Sequence, residues 1–435
     1  MTSLILKRKI KNKTVSVAIA GMGYVGLPLA KSISEGGIKK IYGIDINESK
    51  IKDLLNAKSD IESVTNNDLA KMLESGFKPT KSFSCLKKAD VFLICVPTPL
   101  SKSNDPDLSY IKATLNSAKK FLHKSLFICL ESTTYPGTTK ELMNPIAEQL
   151  NFKIGKDIFV GYSPEREDPG NVDFSTGTIR RVVSGITKDC LDICSSFYAA
   201  FTPNPYPVSS TSAAELTKLI ENIQRSVNIS LMNEMKIIAD KMGLNIFEVI
   251  EAASTKPFGF KKYLPGPGIG GHCIPIDPFY LTWKAKQYGV HTRFIELAGE
   301  INLQTISYVI DKTIISLNKI GISLSRSKIL ILGLSYKKNI ADLRESPNLK
   351  ILKRLLDLGS KVDYSDPFFK KIPNLRNFDL KKSSVHINKK NLQSYDLVLL
   401  LTDHDNFDFK LIKKESKFII DTRGVYKPSR KIIHA

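Results

Sequence analysis

The 435-residue chain contains no run of about 18 uninterrupted apolar residues, the length a helix needs to cross a bilayer, and so no membrane insertion is expected. Residues 1–13 are basic but lack the apolar core and cleavage site of a secretion signal, which makes a soluble cytoplasmic protein the expectation. Cysteine is scarce, at 85, 95, 129, 190, 194 and 273, and no two form a CxxC pair. Several lie inside apolar runs such as Phe92-Leu93-Ile94-Cys95-Val96, and five of the six read as buried free thiols. Cys190 and Cys194 are spaced to share a helical face, but no histidine or third cysteine stands near them, so no metal site is expected. A dense basic tract interleaved with aromatics is missing as well. Although Lys+Arg 64 against Asp+Glu 43 leaves a net charge of +21, the lysines are scattered as pairs, which argues against a nucleic-acid partner. A locally basic cleft for a small anionic ligand needs no more than this.

What is present is an α/β rhythm interrupted once. The chain exceeds the usual size of one hydrophobic core, so two or three domains are expected. Short apolar runs at 15–20, 40–44, 91–96, 126–130, 158–161 and 181–184 alternate with helical stretches, as in a parallel sheet. Proline and serine crowd into 202–212, which reads as a linker ending in hydroxyl residues fit to cap a helix. Residues 213–253 then carry Leu216, Leu219, Ile220 and Ile223 at helical spacing, with surplus apolar surface suited to a dimer seam. After a further helical stretch at 301–317, the α/β pattern restarts at 328–333 and continues through 361–365, 397–401 and 418–420. The fold class predicted is α/β: two Rossmann-like domains, 1–205 and 321–435, joined by a helical connector domain at 206–320.

The first strand runs into Gly21-Met-Gly23-Tyr-Val-Gly26 and an apolar helix. In this context the first glycine permits the tight turn, the second lets a pyrophosphate approach the backbone, and the third lets helix pack on strand. The next strand ends at Asp45, placed to bind adenosine ribose hydroxyls and to repel a 2′-phosphate, so NAD⁺ is the expected cofactor. The corresponding turn of the second α/β unit reads Gly333-Leu-Ser335-Tyr-Lys-Lys338. Without its second and third glycines it is expected to hold a different nucleotide, with Lys337 and Lys338 available to phosphates as charges or only as solvated turn residues.

Leu264-Pro-Gly-Pro-Gly-Ile-Gly-Gly-His272-Cys273 is the least ordinary segment, a shaped backbone that closes on a thiol. Asp277-Pro278 follows and suits a helix start, and a thiol beside a helix start is more easily ionised into a nucleophile. On these residues alone a buried, inert Cys273 stands equally open.

Several separated motifs in order resemble the UDP-glucose/GDP-mannose dehydrogenase family over nearly the whole chain. They are the Gly21-Gly23-Gly26 turn, Val96-Pro-Thr98-Pro99, Glu131-Ser-Thr133, Tyr162-Ser-Pro-Glu165-Arg166, Glu215-Leu-Thr-Lys218 with Asn222, Gly270-Gly-His-Cys273, and Tyr336-Lys337 with Asp342-Leu-Arg344. The resemblance implies an NAD-dependent, four-electron oxidation of the C6 alcohol of a UDP-sugar, by way of an aldehyde captured on cysteine and a thioester. It implies Cys273 as nucleophile, Lys218 and Asn222 as stabilisers of charge on oxygen, and Asp277 as the carboxylate that positions or activates water, with Thr133 and Glu165 as its hydrogen-bonding partners. To the glycines and Asp45 it adds Tyr24, Val25, Lys50, Thr98, Thr133 and Arg344 for the cofactor. For the UDP-sugar it implies Arg166, Lys218, Asn222, Arg225, Lys256, Gly270, Tyr336 and Lys337. A homodimer or higher homo-oligomer and a role in surface polysaccharide biosynthesis follow from the same likeness.

Within the family, Tyr162-Ser-Pro-Glu-Arg-Glu-Asp-Pro-Gly-Asn171 and Ser254-Thr-Lys-Pro-Phe258-Gly-Phe260 resemble the bacterial UDP-N-acetylglucosamine 6-dehydrogenases. Enzymes for UDP-N-acetylmannosamine usually carry His-Pro-Arg where Lys256-Pro-Phe258 stands, and those for UDP-glucose carry serine in place of His272. Both sugars remain alternatives. A two-electron hydroxyacid dehydrogenase with an idle cysteine is the more distant one.

Overall fold

The computed structural model describes residues 2–101, 103–166, 178–271, 273–375, 378 and 380–435. They group into two compact units, Met1–Glu221 with Phe279–Val290, and Asn222–Pro278 with His291–Ala435.

The first unit is built on one sheet of β1 (Ser16–Ala20), β2 (Lys40–Ile44), β3 (Phe77–Thr80), β4 (Val91–Ile94), β5 (Phe127–Leu130), β6 (Phe159–Tyr162), β7 (Val182–Gly185) and β8 (Tyr206–Pro207). Their spatial order is β3-β2-β1-β4-β5-β6-β7-β8. All neighbouring pairs are parallel except β6 with β7. Helices cover the sheet, which is why β1, β4, β5 and β6 are buried along their whole length and read as unbroken apolar runs. The order turns back between β1 and β4, so the carboxyl ends of these strands, Ala20 and Ile94, open on the switch point where α/β sheets take ligands.

In the second unit β9 (Lys328–Leu332), β10 (Lys361–Ser365), β11 (Leu397–Leu400), β12 (Ile419–Asp421) and β13 (Ile432–His434) form an all-parallel sheet in the order β10-β9-β11-β12-β13. Its helices include Ile246–Ser254, capped by the Asn245 side chain, and Arg293–Lys319. The 31-residue helix Thr211–Lys241 begins in the first unit and ends in the second, and Ser210 Oγ accepts from the Ala213 amide at its start.

The strands expected at 15–20, 40–44, 91–96, 126–130, 158–161 and 181–184 are present within two residues of those bounds, as are those of the second sheet. β3, β8 and β13 were not anticipated. All three stand at sheet edges; β3 and β8 contain proline, which cannot donate to a ladder and hides a strand from pattern reading, and β13 is only three residues long. The expected linker at 202–212 therefore supplies a strand, held by Tyr206 N–H to Arg181 O at 2.7 Å and Val208 N–H to Val183 O at 3.0 Å.

A Cβ on Gly26 would lie 1.8 Å from the Gly21 carbonyl oxygen, so the third glycine of the turn is a steric requirement. Gly26→Ala should destabilise the protein by about 3 kcal/mol, read as a shift of the urea midpoint, because backbone and not a flexible side chain must move. An unchanged midpoint would contradict the packing.

Candidate active site

The glycine turn after β1 has the chemistry of a dinucleotide cradle. Gly21 sits at φ +93°, and a Cβ there would come 2.6 Å from Cys95 O; a Cβ on Gly23 would meet nothing within 4 Å, which leaves that face of the backbone open to a ligand. The helix Gly26–Glu35 has no acidic residue in its first turn and no side chain capping it, so the positive end of the helix dipole remains available to phosphate. Asp45 braces the turn, accepting Met22 N–H at 3.0 Å on Oδ2 and Asn47 N–H at 2.9 Å on Oδ1. Each oxygen has a second lone pair for a ribose hydroxyl. Thr98 is buried beyond β4 and Tyr24 is exposed. Val25 is half-buried. Lys50 is ion-paired with Asp60.

Four further expected residues lie in the first unit. Thr133 is half-buried beyond β5. Glu165, beyond β6, is bonded by the buried Arg181 through Oε2 and by the Arg166 amide through Oε1 at 2.6 Å. Arg166 itself is paired with Glu221, Nη2 to Oε1 at 2.6 Å, and donates to Arg180 O at 2.8 Å. Lys218 is buried one turn before Asn222 on the helix Thr211–Lys241. That helix is anchored by Glu215, which is wholly buried and accepts Gly137 N–H at 2.6 Å, Thr139 N–H at 2.8 Å and the Thr139 hydroxyl at 2.7 Å. It thereby satisfies orphan amides of the helix Thr138–Gln149, while burial pushes its carboxyl up to about 7 against the pull of those donors.

In the second unit Asn222 Nδ2 donates to Asp277 Oδ2 at 2.5 Å, with both side chains buried. Asp277 opens the helix Asp277–Lys286, and its amide donates to Cys273 O at 2.8 Å, joined by Ile276 N–H at 3.2 Å. Cys273 is half-buried. The loop before it lies flat on its neighbours: Gly271 N–H donates to Arg344 O at 2.9 Å, and a Cβ on Gly270 would come 2.5 Å from Tyr336 Cβ. At its other end Gly266 is clamped through both peptide groups, N–H to Asn233 Oδ1 and O to Lys236 Nζ, each at 2.9 Å. Burial, then the neighbouring Arg423, pushes Lys236 down to about 7. Arg225 is half-buried, and Lys256 lies 5.0 Å over the ring of the exposed Phe258. His272 and residues 167–171, on which part of the sugar reading rested, lie outside the described residues.

The second nucleotide turn repeats the first with a difference. Gly333, at φ +83°, is followed by the Leu334 and Ser335 amides, which donate to Asp366 Oδ2 at 2.7 and 3.2 Å. Asp366 also accepts from Phe368 and Phe369 and faces His404 Nε2 at 3.4 Å; burial raises its carboxyl, but His404 and the amides hold it below the usual range. The next helix, Pro347–Asp357, starts only after the segment bearing Tyr336, Lys337 and Arg344, and Ser346 already caps it. Arg344 is bound to Asp342, with Nη2 to Oδ2 at 2.6 Å. Lys338 is committed to Asp405 at 2.6 Å, and Lys337 is half-buried.

Sequence reading missed Arg181, Asn233 and Lys236, each a polar residue whose burial is set by distant segments. Among the described residues no group of three or more His, Cys, Asp or Glu is placed to hold a metal, and no helix is long and apolar enough to cross a membrane.

An open, uncapped glycine turn in one unit and an altered, longer turn beside a glycine-rich cysteine loop in the other are the parts of a nicotinamide-dependent dehydrogenase of nucleotide-bearing substrates. Models of the UDP-glucose/GDP-mannose dehydrogenase family match three successive stretches: the NAD binding domain over residues 15–202, the central domain over 212–304 and the UDP binding domain over 330–428. The chain belongs to this family and is an NAD-dependent nucleotide-sugar dehydrogenase. It is 37% identical over 417 residues to Protein CapL of Staphylococcus aureus, covering 94% of this chain and 96% of the relative. It is 34% identical to a UDP-N-acetyl-D-glucosamine 6-dehydrogenase of Pseudomonas aeruginosa, covering 91% and 92%. A solved structure of a UDP-D-ManNAc dehydrogenase from Pyrococcus horikoshii matches with a TM-score of 0.88 at 31% identity, covering 97% and 98%.

Asp45→Asn keeps the acceptor that braces Met22 and removes the charge that faces a 2′-phosphate. The ratio of kcat/KM for NAD⁺ to that for NADP⁺ should fall by about tenfold or more, as expected for about 1.4 kcal/mol of lost discrimination. A ratio equal to wild type would remove Asp45 from cofactor selection.

Proposed function

We propose that this enzyme oxidises the C6 alcohol of UDP-N-acetylglucosamine to the carboxylate, with Cys273 holding the substrate carbon between the two oxidations. The observation that carries the reading is the buried Asn222–Asp277 hydrogen bond at 2.5 Å, tied through the Asp277 amide to the Cys273 carbonyl at 2.8 Å. NAD⁺, when bound by the glycine turn, Asp45, Lys50, Tyr24, Val25, Thr98, Thr133 and Arg344, accepts one hydride at each oxidation.

The residues of the chain account for the remaining chemistry. Lys218 abuts the helical turn of Asn222, and the two donate to the substrate oxygen as it gains charge. The Cys273 thiolate adds to the aldehyde carbon, a C–S bond forms, and the carbonyl oxygen takes a proton, giving a thiohemiacetal. After the second oxidation leaves a thioester, Asp277 orients a water and accepts its proton, with Thr133 and Glu165 as its hydrogen-bonding partners. Water adds to the carbonyl carbon, the C–S bond breaks, and the thiolate leaves with the carboxylate released. Covalent retention keeps a reactive aldehyde from escaping. Arg166, Arg225, Lys256, Gly270, Tyr336 and Lys337 serve the UDP-sugar, with 1–205 as cofactor domain, 206–320 as connector carrying Cys273, and 321–435 as UDP-sugar domain.

The sugar assignment is supported by Lys256-Pro-Phe258-Gly-Phe260 and by the Pseudomonas aeruginosa relative. UDP-N-acetylmannosamine is the second reading, favoured by the likeness to the Pyrococcus horikoshii structure. Leu231, Met235 and Ile238, exposed at a spacing of one stripe along the second half of the helix Thr211–Lys241, with Met242 just past its end, suit packing against a second copy, and we take the enzyme to be a homodimer. Six cysteines with no disulfide among the described residues suit a reducing cytoplasm, and surface-polysaccharide synthesis is the role that fits an acidic sugar product.

Initial rates with UDP-N-acetylglucosamine, UDP-N-acetylmannosamine and UDP-glucose at subsaturating concentration should favour the first by about 100-fold in kcat/KM, a difference of about 2.7 kcal/mol. A larger value for the manno epimer would reassign the sugar. Cys273→Ala should form no uronic acid, and undiminished acid production by that variant would sink the covalent route.

A further inference from the structure

Arg181 is the largest wholly buried side chain in the first unit, and nothing in the chemistry above uses it. It precedes β7, and its guanidinium spans two carboxylates that leave the ends of neighbouring strands. Nη1 donates to Glu131 Oε2 at 2.6 Å, beyond β5, and Nη2 donates to Glu165 Oε2, beyond β6. Tyr198, on the helix Lys188–Tyr198, donates its hydroxyl to Glu131 Oε1, and the guanidinium carbon stands 5.3 Å from its ring centre. Desolvating a guanidinium and a carboxylate costs several kcal/mol for each ion, and well-packed apolar residues often serve stability as well or better. Stability alone is a weak reason for such a group, whereas geometry is a strong one. A planar fork fixes two carboxylates at once, which a point charge on a flexible stem does not.

We propose that Arg181 is a positioning residue for Glu165, fixing that carboxylate for hydrolysis of the thioester, with Glu131 and Tyr198 as the frame that holds the guanidinium in place. The proposal rests on the reading of Glu165 as part of the water-activating group. Pinned on Oε2 by Arg181 and on Oε1 by the Arg166 amide at 2.6 Å, the Glu165 carboxylate has its plane set from two sides. The charged and titratable groups around it include Arg181, Glu131, Tyr198, the Cys95 thiol within electrostatic reach of both carboxylates, and Arg166, itself paired with Glu221. Burial pushes the Glu131 carboxyl up, and the two glutamates hold the Arg181 guanidinium protonated against its own burial.

The test uses the full-length enzyme with NAD⁺ and UDP-N-acetylglucosamine, or whichever UDP-sugar it turns over best. Arg181→Met should lower kcat by about 100-fold, with KM for both substrates within about threefold, and Arg181→Lys should recover part of the loss. Intact-mass measurement during turnover should show an acyl adduct accumulating on Cys273 in Arg181→Lys, a signature that loss of packing would not give. Tyr198→Phe, which keeps the ring and loosens only the frame, should show a weaker form of the same adduct and decides the matter if Arg181→Met does not fold. Glu165→Gln separates the two layers of the argument. Full activity in Glu165→Gln would overturn the role of Glu165 and the proposal with it. A slow, adduct-accumulating Glu165→Gln beside Arg181→Lys and Tyr198→Phe that turn over like wild type would overturn the positioning role alone.

Discussion

A turn that ends a buried strand leaves amide protons in need of acceptors, and in each α/β unit a carboxylate at the tip of the adjacent strand supplies one. Asp45 receives Met22 N–H, and Asp366 receives Leu334 and Ser335 N–H. The shared device fixes where each turn lies, and the differences around it decide what each turn can do. Asp45 is partly exposed and accepts two backbone bonds, whereas Asp366 is buried, accepts four amides and faces His404. The first retains capacity for sugar hydroxyls; the second is consumed by its own scaffold. Specialisation of the halves, NAD⁺ on one and UDP on the other, follows from how much of one carboxylate the fold has already used.

The cysteine loop obeys a comparable constraint. Its glycines let the backbone lie against Tyr336 with no room for a Cβ at Gly270, while Asn233 and Lys236 take both hydrogen-bonding groups of Gly266. The loop is therefore held at both ends before it reaches Cys273, whose carbonyl accepts the first amides of the helix Asp277–Lys286. For the nucleophile proposed here, which holds one carbon from aldehyde to thioester, such preorganisation matters, since misplacement by a fraction of an ångström is costly in rate.

What the sequence made readable was local. In the first glycine turn Gly26 has its steric reason at the Gly21 carbonyl five residues before it and Gly21 has its own positive φ, and buried parallel strands write themselves as apolar runs. Asp277 at a helix start and Lys218 one turn from Asn222 were likewise readable from spacing. Long-range facts were not. Pro79 and Pro207 disguise edge strands whose pairing depends on β2 and β7. Arg181 follows another arginine and resembles any surface pair until Glu131, Glu165 and Tyr198 close around it. Lys236 is one of three lysines on the helix Thr211–Lys241, and only the folded loop at Gly266 accounts for its burial.

The central claim is that one active cysteine couples two oxidations without releasing the aldehyde. It is tested most directly by counting NADH formed against uronic acid formed in a single-substrate turnover, with an aldehyde trap present. Removing four electrons from an alcohol to give an acid requires two NADH per carboxylate, and the account predicts that ratio with no trapped aldehyde. One NADH per turnover, with aldehyde recovered in the trap, would contradict it.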